Sequence, residues 1–129
     1  MNYVRNTIST DKAPAAIGPY SQAVSYNGLL FVSGQIPVIP ETGEIPSDVQ
    51  QQTEQVLKNL GAILSANGNT YEDVLKTTVF IKNMNDFGKI NEIYANFFKE
   101  NPPARACVEV SRLPKDVLVE IEAIVASKK

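Results

Sequence analysis

The sequence predicts an α+β domain in which two helices cover one face of a β-sheet. β-branched segments and two segments with helical apolar spacing follow one another as strand-strand-helix-strand-helix-strand-strand. The 129 residues are 43% hydrophobic and 20% charged, a composition typical of one globular domain spanning residues 1–129. Length, composition and element order therefore favour the same class.

The first elements are predicted from turn signals. Two prolines and a glycine mark residues 13–20 as a loop. Strands are predicted at residues 23–26 and 29–33, because the turn dipeptide Asn27-Gly28 separates them. A further short strand is considered at residues 3–6. These signals place a β-hairpin before the first helix.

The first helix is predicted from a capping signal and a stop signal. Ser47 and Gln50 have the spacing of a capping box, and Asn67-Gly68 is typical of a helix end. Between them, the following apolar residues recur at helical spacing: Val49, Val56, Leu57, Leu60, Ile63 and Leu64. A strand is predicted next, at residues 74–81.

The second helix is predicted to begin at a cap formed by Asn85 or Asp86 and to stop at Pro102-Pro103. Its apolar face consists of Phe87, Ile90, Tyr94, Phe97 and Phe98. Both helices are expected on the same side of the sheet.

The last two strands are predicted to form a second β-hairpin. Two β-branched runs, residues 102–110 and 117–122, flank a short polar stretch that contains a proline. The simplest register pairs Val110 with Val117. This register sets Cys107 opposite Glu120 and Arg105 opposite Glu122. The sheet face without helices is expected to carry much of this patch and several apolar residues, which favours self-association.

The sequence contains no histidine and one cysteine, which excludes whole classes of chemistry. Catalytic Ser-His-Asp and Cys-His arrangements need histidine, and zinc sites need histidine or several cysteines. Acid–base chemistry must therefore use a carboxylate, Tyr, Lys, Cys or a water held by the backbone. No metal site is expected.

Charge and hydropathy restrict the partners. The net charge is −2 and the basic residues are scattered, so no nucleic-acid partner is expected. No segment approaches the ~20 apolar residues of a membrane span, and the first residues lack the apolar stretch of a signal peptide. With one cysteine no internal disulfide can form. We therefore expect a cytoplasmic protein without a membrane partner.

Three residues of the final hairpin are candidates for chemistry, each with a structural alternative. Arg105 can bind a planar anion through its forked donors, or form a salt bridge to Glu120 or Glu122. Glu120 can hold or activate a water, or belong to the same ion pair. Cys107 can act as a nucleophile, but without histidine the favoured interpretation is a small buried apolar residue.

Residues in other segments are weaker candidates. Asn91 is a poor mid-helix residue on the edge of the apolar face, so its amide either enters a ligand pocket or lies on a surface rim. Ser33-Gly34 ends a strand, where glycine permits close approach of a ligand or simply allows a bend. Tyr20 either covers a pocket or packs in its loop.

Five stretches, in order along the chain, resemble the Rid (YjgF-type) family of reactive-intermediate, or imine, deaminases, and specifically its RidA branch. They are residues 13–20, 33–37, 76–81, 103–110 and 112–123. The resemblance implies a chorismate-mutase-like α+β fold with a mixed sheet of about six strands, a homotrimer, and a site in each cleft between subunits.

The resemblance also implies an activity. Reactive 2-imino acids, such as 2-iminobutanoate and 2-iminopropanoate, are hydrolysed to 2-oxo acids and ammonia without cofactor or metal. In that activity Arg105 holds the substrate carboxylate and Glu120 acts with water as the acid–base group, with Glu122 as the alternative should the register shift. The expected pocket lining is Tyr20, Ser33, Gly34, Asn91 and Cys107.

Two other functions remain open from the sequence. A trimer of this kind could bind 2-oxo acids or other small carboxylates without catalysis, or act as a chaperone. An activity as ribonuclease or translation inhibitor is ascribed to some relatives, but the acidic charge balance and the missing histidine count against it.

Overall fold

The computed structural model describes residues 4–128 and contains two α-helices and one mixed six-stranded sheet. The strands β1 to β6 are Asn6–Ile8, Ala23–Tyr26, Leu29–Gln35, Val74–Ile81, Ala104–Glu109 and Val119–Ala126. The helices are α1, Val49–Ala66, and α2, Phe87–Phe97. Across the sheet the order is β1-β2-β3-β6-β4-β5, and only the β4–β5 pair is parallel. The α+β class is confirmed.

The hairpin of β2 and β3 forms at the predicted dipeptide. Asn27 has a φ of 51° and Gly28 a φ of 81°. Two successive positive φ angles define the type I′ turn, whose twist matches that of the strands. The short strand considered at residues 3–6 lies later, at Asn6–Ile8, and residue 3 is outside the described residues.

Helix α1 begins one residue later than the capping box predicted. Asp48, not Ser47, is the N-cap, and its carboxylate accepts hydrogen bonds from the backbone N–H groups of Gln50 and Gln51 at 3.1 and 3.0 Å. The shift puts Gln50 at the second helical position, so it cannot complete a box with Ser47. The helix ends at the predicted signal, with Asn67 as C-cap.

Helix α2 begins after Asp86, one of the two predicted caps, and ends at Phe97. It stops before Pro102-Pro103, because Phe98 already has the non-helical φ and ψ of −122° and 70°. Neither helix in the described part of the chain has the length and hydropathy of a membrane span.

Both helices pack on one side of the sheet, here called the helix face. The core on this side consists mainly of Leu57, Leu60, Ile63, Leu64, Val79, Ile81, Ile90, Val119, Ile121 and Val125. The other side, here called the open face, carries Phe31, Thr78, Phe80, Ala106, Val108, Glu120, Glu122 and Ile124. Phe31 and Val108 are 44% and 41% exposed there.

The hairpin predicted for the last two strands is wrong. Strand β6 lies between β3 and β4, and β5 pairs with the far edge of β4. Accordingly the N–H of Val110 donates to the carbonyl of Ile81, and the N–H of Lys82 donates to the carbonyl of Leu118, so Val110 does not pair with Val117. The physical reason is helix α2. It crosses from β4 to β5 and returns the chain in parallel, as a helical crossover requires.

This correction separates the predicted patch into two parts. Arg105 pairs with the buried Thr77, so Arg105 and Cys107 lie on the helix face. Glu120 and Glu122 alternate with buried residues of β6 and lie on the open face. The arginine and the carboxylates of one chain therefore occupy opposite sides of the sheet, and the open face does not carry the arginine.

Candidate active site

Strand β5 and helix α2 together hold the guanidinium of Arg105. Its Nη1 donates to Oδ1 of Asn91 at 2.7 Å. Its Cζ lies 4.8 Å from the ring centroid of Tyr94 and 5.3 Å from that of Phe87. Phe87, Asn91 and Tyr94 follow at i, i+4 and i+7, which places them on one stripe of the helix. Arginine has five donors, so the remaining ones are available to an anion.

The salt bridge considered for Arg105 does not form. Within residues 4–128 the ion pairs are Arg112–Asp116 and Lys128–Asp73. The predicted candidates Asn91 and Arg105 are instead brought together in the same chain. An exposed arginine without a carboxylate partner has the chemistry of an anion-binding group.

Cys107 lies two residues beyond Arg105 on the same face and packs against the core. Burial raises the pKa of its thiol, and the nearby charge of Arg105 offsets only part of that effect. The neutral thiol therefore dominates near pH 7, which argues against a nucleophilic role. The interpretation of Cys107 that the sequence favours is a small buried apolar residue; the side chain does pack against the core, but it is only half-buried.

A second group of predicted residues lies at the open face. Together they line an open cavity of about 450 Å³. Its walls are Ile17, Tyr20, Ser33, Gly34, Ile36, Pro114, Glu120 and Glu122. Four of the predicted site residues, Tyr20, Ser33, Gly34 and Glu120, thus meet in one place. We refer to these four as the open-face group, and to Asn91, Arg105 and Cys107 as the helix-side group.

Glu120 has the electrostatics of an acid–base group. Burial raises the pKa of its carboxyl, and the negative charge of Glu122 raises it further. A carboxyl with a raised pKa holds its proton closer to neutral pH, where it can both accept and return one. The two carboxylates thus interact electrostatically at the open face.

The strand end at Gly34 makes room for this carboxyl. A Cβ placed on Gly34 would lie 2.4 Å from Oε2 of Glu120, so any side chain there would displace the carboxyl group. The neighbouring Ser33 Oγ donates to the carbonyl of Ser21 at 2.6 Å and ties this strand end to the preceding loop. Gly34 therefore does more than allow the strand to bend: it leaves the space that the carboxyl group of Glu120 occupies.

Tyr20 forms the outer wall of the cavity. Its side chain is 50% exposed, and its hydroxyl receives only a long hydrogen bond, 3.4 Å, from the N–H of Ile17. The alternative of a well-packed loop tyrosine does not describe this residue.

Sequence reasoning missed part of the surroundings of Arg105. Thr77, buried in β4, shares a hydrogen bond of 2.7 Å with the hydroxyl of Tyr94. A threonine in an apolar strand was the available signal. The sequence places Phe87 and Tyr94 beside Asn91 on the apolar face of the helix, but it does not predict that both rings contact Arg105. Over residues 4–128, no cluster of three acidic or thiol side chains could hold a metal ion.

The fold and the similarity to known proteins identify the fold class and the protein family. Two helices on one face of a six-stranded mixed sheet in this order make a chorismate-mutase-like α+β fold. The family model described as Endoribonuclease L-PSP matches residues 10–127. The chain therefore belongs to this family, whose members include RutC and Rid proteins, and the resemblance to Rid proteins is confirmed.

Several relatives are similar over almost the whole chain. A RutC family protein of Pyrococcus horikoshii is 57% identical over 122 residues, covering 94% of this chain and 97% of that protein. The 2-iminobutanoate/2-iminopropanoate deaminase of Escherichia coli K12 is 55% identical over 121 residues, covering 92% and 94%. The crystal structure of E. coli TdcF with bound serine matches with a TM-score of 0.92 and 52% identity, covering 95% and 99%.

Proposed function

We propose that this protein hydrolyses 2-imino acids, including 2-iminobutanoate and 2-iminopropanoate, to 2-oxo acids and ammonia. The observation that carries the proposal is Arg105, an exposed guanidinium fixed by Asn91 and two aromatic rings with donors left for a planar carboxylate. The similar E. coli protein bears the name of this activity. TdcF is described with bound serine, and a 2-imino acid has the same α-carboxylate.

The proposed chemistry needs few groups. The carbon of a protonated imine is already electrophilic, so a water positioned beside it can add without a strong nucleophile. Glu120 takes a proton from the attacking water, and a tetrahedral amino alcohol forms. The proton then returns to the nitrogen, which makes ammonia the leaving group. As the C–N bond breaks, the hydroxyl group gives its proton to Glu120 and from there to ammonia, so the products are the 2-oxo acid and an ammonium ion. The raised pKa of Glu120 supports both transfers.

We further propose that the two groups meet between copies of the chain in a homotrimer. Within one chain Arg105 and Glu120 lie on opposite faces of the sheet. A cyclic assembly repeats one contact, so the helix-side group of each copy can meet the open-face group of the next. The exposed Phe31 and Val108 supply apolar surface for such a contact.

The cysteine count, the charge balance and the two candidate groups also bear on where the protein acts and on which alternative functions fit. A chain with one cysteine suits the reducing cytoplasm, where we place the protein. A carboxylate-binding protein without catalysis would use Arg105 but not Glu120. A ribonuclease would need phosphate contacts, and the net charge of −2 and the lack of histidine disfavour that activity.

The test is a coupled assay. An amino-acid oxidase or a dehydratase generates 2-iminobutanoate or 2-iminopropanoate in solution, and 2-oxo acid release is followed with and without the protein. We expect faster release with the wild type and none of the acceleration with Arg105→Ala. The control variant Arg5→Ala removes another exposed arginine, just before β1. This variant should accelerate 2-oxo acid release as the wild type does. Unaccelerated release with the wild type would reject the activity, and binding of 2-oxobutanoate alone would favour the non-catalytic function.

A further inference from the structure

A buried hydrogen bond lies directly behind Arg105. Thr77 is fully buried and Tyr94 is 6% exposed, and their hydroxyls are 2.7 Å apart. Thr77 is also the residue opposite Arg105 in the parallel β4–β5 pairing. The bond therefore joins helix α2 to the sheet at the level of the arginine. A buried hydroxyl pair of this kind fixes a ring more firmly than apolar packing alone.

Tyr94 is restrained on its ring face as well. Its ring packs on Phe98, with 4.6 Å between centroids and 37° between planes. The hydroxyl bonded to Thr77 and the ring packed on Phe98 together orient the aromatic face that Tyr94 presents to Arg105. Phe87 supplies a second ring, and both ring centroids lie within the ~6 Å at which a guanidinium and an aromatic ring attract each other.

The amide of Asn91 is oriented by the same arrangement. Arginine only donates hydrogen bonds, so the atom of Asn91 that faces Nη1 must be its oxygen. Its NH₂ group is thereby turned away from Arg105, and within residues 4–128 it has no hydrogen-bond acceptor. Within residues 4–128, the remaining N–H donors of Arg105 and the NH₂ group of Asn91 therefore have no hydrogen-bond acceptor.

We propose that Phe87 and Tyr94 are positioning residues for the carboxylate of the substrate, with Thr77 fixing Tyr94. This inference rests on the proposed function of the site. The two rings hold the guanidinium plane in one orientation before any ligand binds, so its free edge meets a planar anion without loss of side-chain freedom. A long, exposed arginine on an edge strand would otherwise sample several rotamers.

Phe87→Leu tests the ring directly, because leucine keeps an apolar side chain and removes the aromatic face. From the strength of such contacts we expect KM, and Kd for 2-oxobutanoate, to rise roughly two- to thirtyfold. We expect kcat to stay nearly constant, since the lost contact serves the bound substrate and the transition state equally. Phe87→Tyr restores a ring and should restore KM.

Phe97→Leu is the matched control. It makes the same change on the same helix, but Phe97 packs on Tyr71, 5.4 Å away, and not on Arg105. It should lower the melting temperature and leave KM unchanged. Tyr94→Phe removes only the hydroxyl bonded to Thr77 and should raise KM less than Phe87→Leu. Equal increases in KM for Phe87→Leu and Phe97→Leu would overturn the proposal, since they indicate a general effect of the helix.

A ligand-free measurement separates this proposal from the proposed activity. The chain has three arginines, so the Nε–Hε NMR signal of Arg105 can be assigned by its loss in Arg105→Lys. We expect a sharp, shifted signal in the wild type that broadens in Phe87→Leu and Tyr94→Phe. An unchanged signal in both variants would overturn the positioning role whether or not the protein hydrolyses imines. A changed signal in a protein without imine turnover would support the positioning role and reject the activity.

Discussion

Asn91 connects helix α2 to Arg105 through one atom, its side-chain oxygen. Because its oxygen is committed to Arg105, the identity of this side chain determines which charges surround the guanidinium. A carboxylate has the same shape as the amide but no N–H donors. It would form an ion pair with Arg105 and compete with the substrate.

We therefore expect Asn91→Asp to raise KM for 2-imino acids at least about tenfold, in line with the loss of a charge-assisted hydrogen bond. The steady-state assay with imine generated in solution measures this. Asn96→Asp, an exposed position on the same helix, adds the same charge and should leave KM near the wild-type value. An unchanged KM in Asn91→Asp would remove Asn91 from the site.

At the open face, burial and the charge of Glu122 raise the pKa of Glu120. Glu120→Gln keeps size and hydrogen bonding but cannot transfer a proton. We expect kcat to fall by the roughly 10²–10⁴ typical of a general acid–base group, with little change in Kd for 2-oxobutanoate. Glu122→Gln is the matched control and should lose far less. If Glu122→Gln loses more, the proton transfer belongs to Glu122.

The raised pKa of Glu120 also predicts a dependence of stability on pH. The folded protein binds this proton more tightly than the unfolded chain, whose glutamate titrates near 4.3. The resulting stabilisation is fully present below that pH and is lost as the pH rises through the folded pKa. Thermal unfolding should therefore show Glu120→Gln gaining stability relative to the wild type as the pH rises above about 4.3. A difference independent of pH would contradict the shift.

The elements that the sequence predicted well are those with local signals. The Asn27-Gly28 turn, the end of α1 at Asn67 and the strand Val74–Ile81 all depend on residues close in sequence. The final hairpin failed because alternation shows which residues share a face but not which strand is the neighbour. Insertion of β4 between β5 and β6 is a non-local pairing, set by the crossover helix α2.

At the end of β3, the lack of a side chain on Gly34 leaves room for the carboxyl group of Glu120. In Gly34→Ala the new Cβ would overlap the carboxyl of Glu120, so the side chain must move. A displacement of about 1 Å can lower the rate about a hundredfold, so we expect kcat to fall while the fold persists. The control is Gly88→Ala in α2, where a Cβ meets nothing within 4 Å. Wild-type kcat in Gly34→Ala would show that Glu120 does not need its present position.

For the molecule as a whole, candidate residues can be predicted from the sequence, but their arrangement cannot. Arg105, Glu120 and the pocket residues are candidates from their residue types and positions, and the resemblance assigns their roles. The predicted register places Arg105, Cys107, Glu120 and Glu122 on one patch, although β4 in fact sets Arg105 and Glu120 on opposite faces. No pattern within one chain could reveal that separation, because it depends on the strand order. Each proposed site therefore needs a second copy of the chain to be complete.

Mixing two inactive variants tests that requirement most directly. Arg105→Ala and Glu120→Gln chains are unfolded together, refolded in equal amounts and confirmed as mixed trimers by native mass spectrometry. If each site takes Arg105 from one copy and Glu120 from the next, random assembly leaves about a quarter of the sites intact. We therefore predict about a quarter of wild-type activity, and no recovery when Arg105→Ala is mixed with Asn91→Ala, whose residues share one group. Mixed trimers without recovered activity, or a fully active monomer, would contradict the shared site.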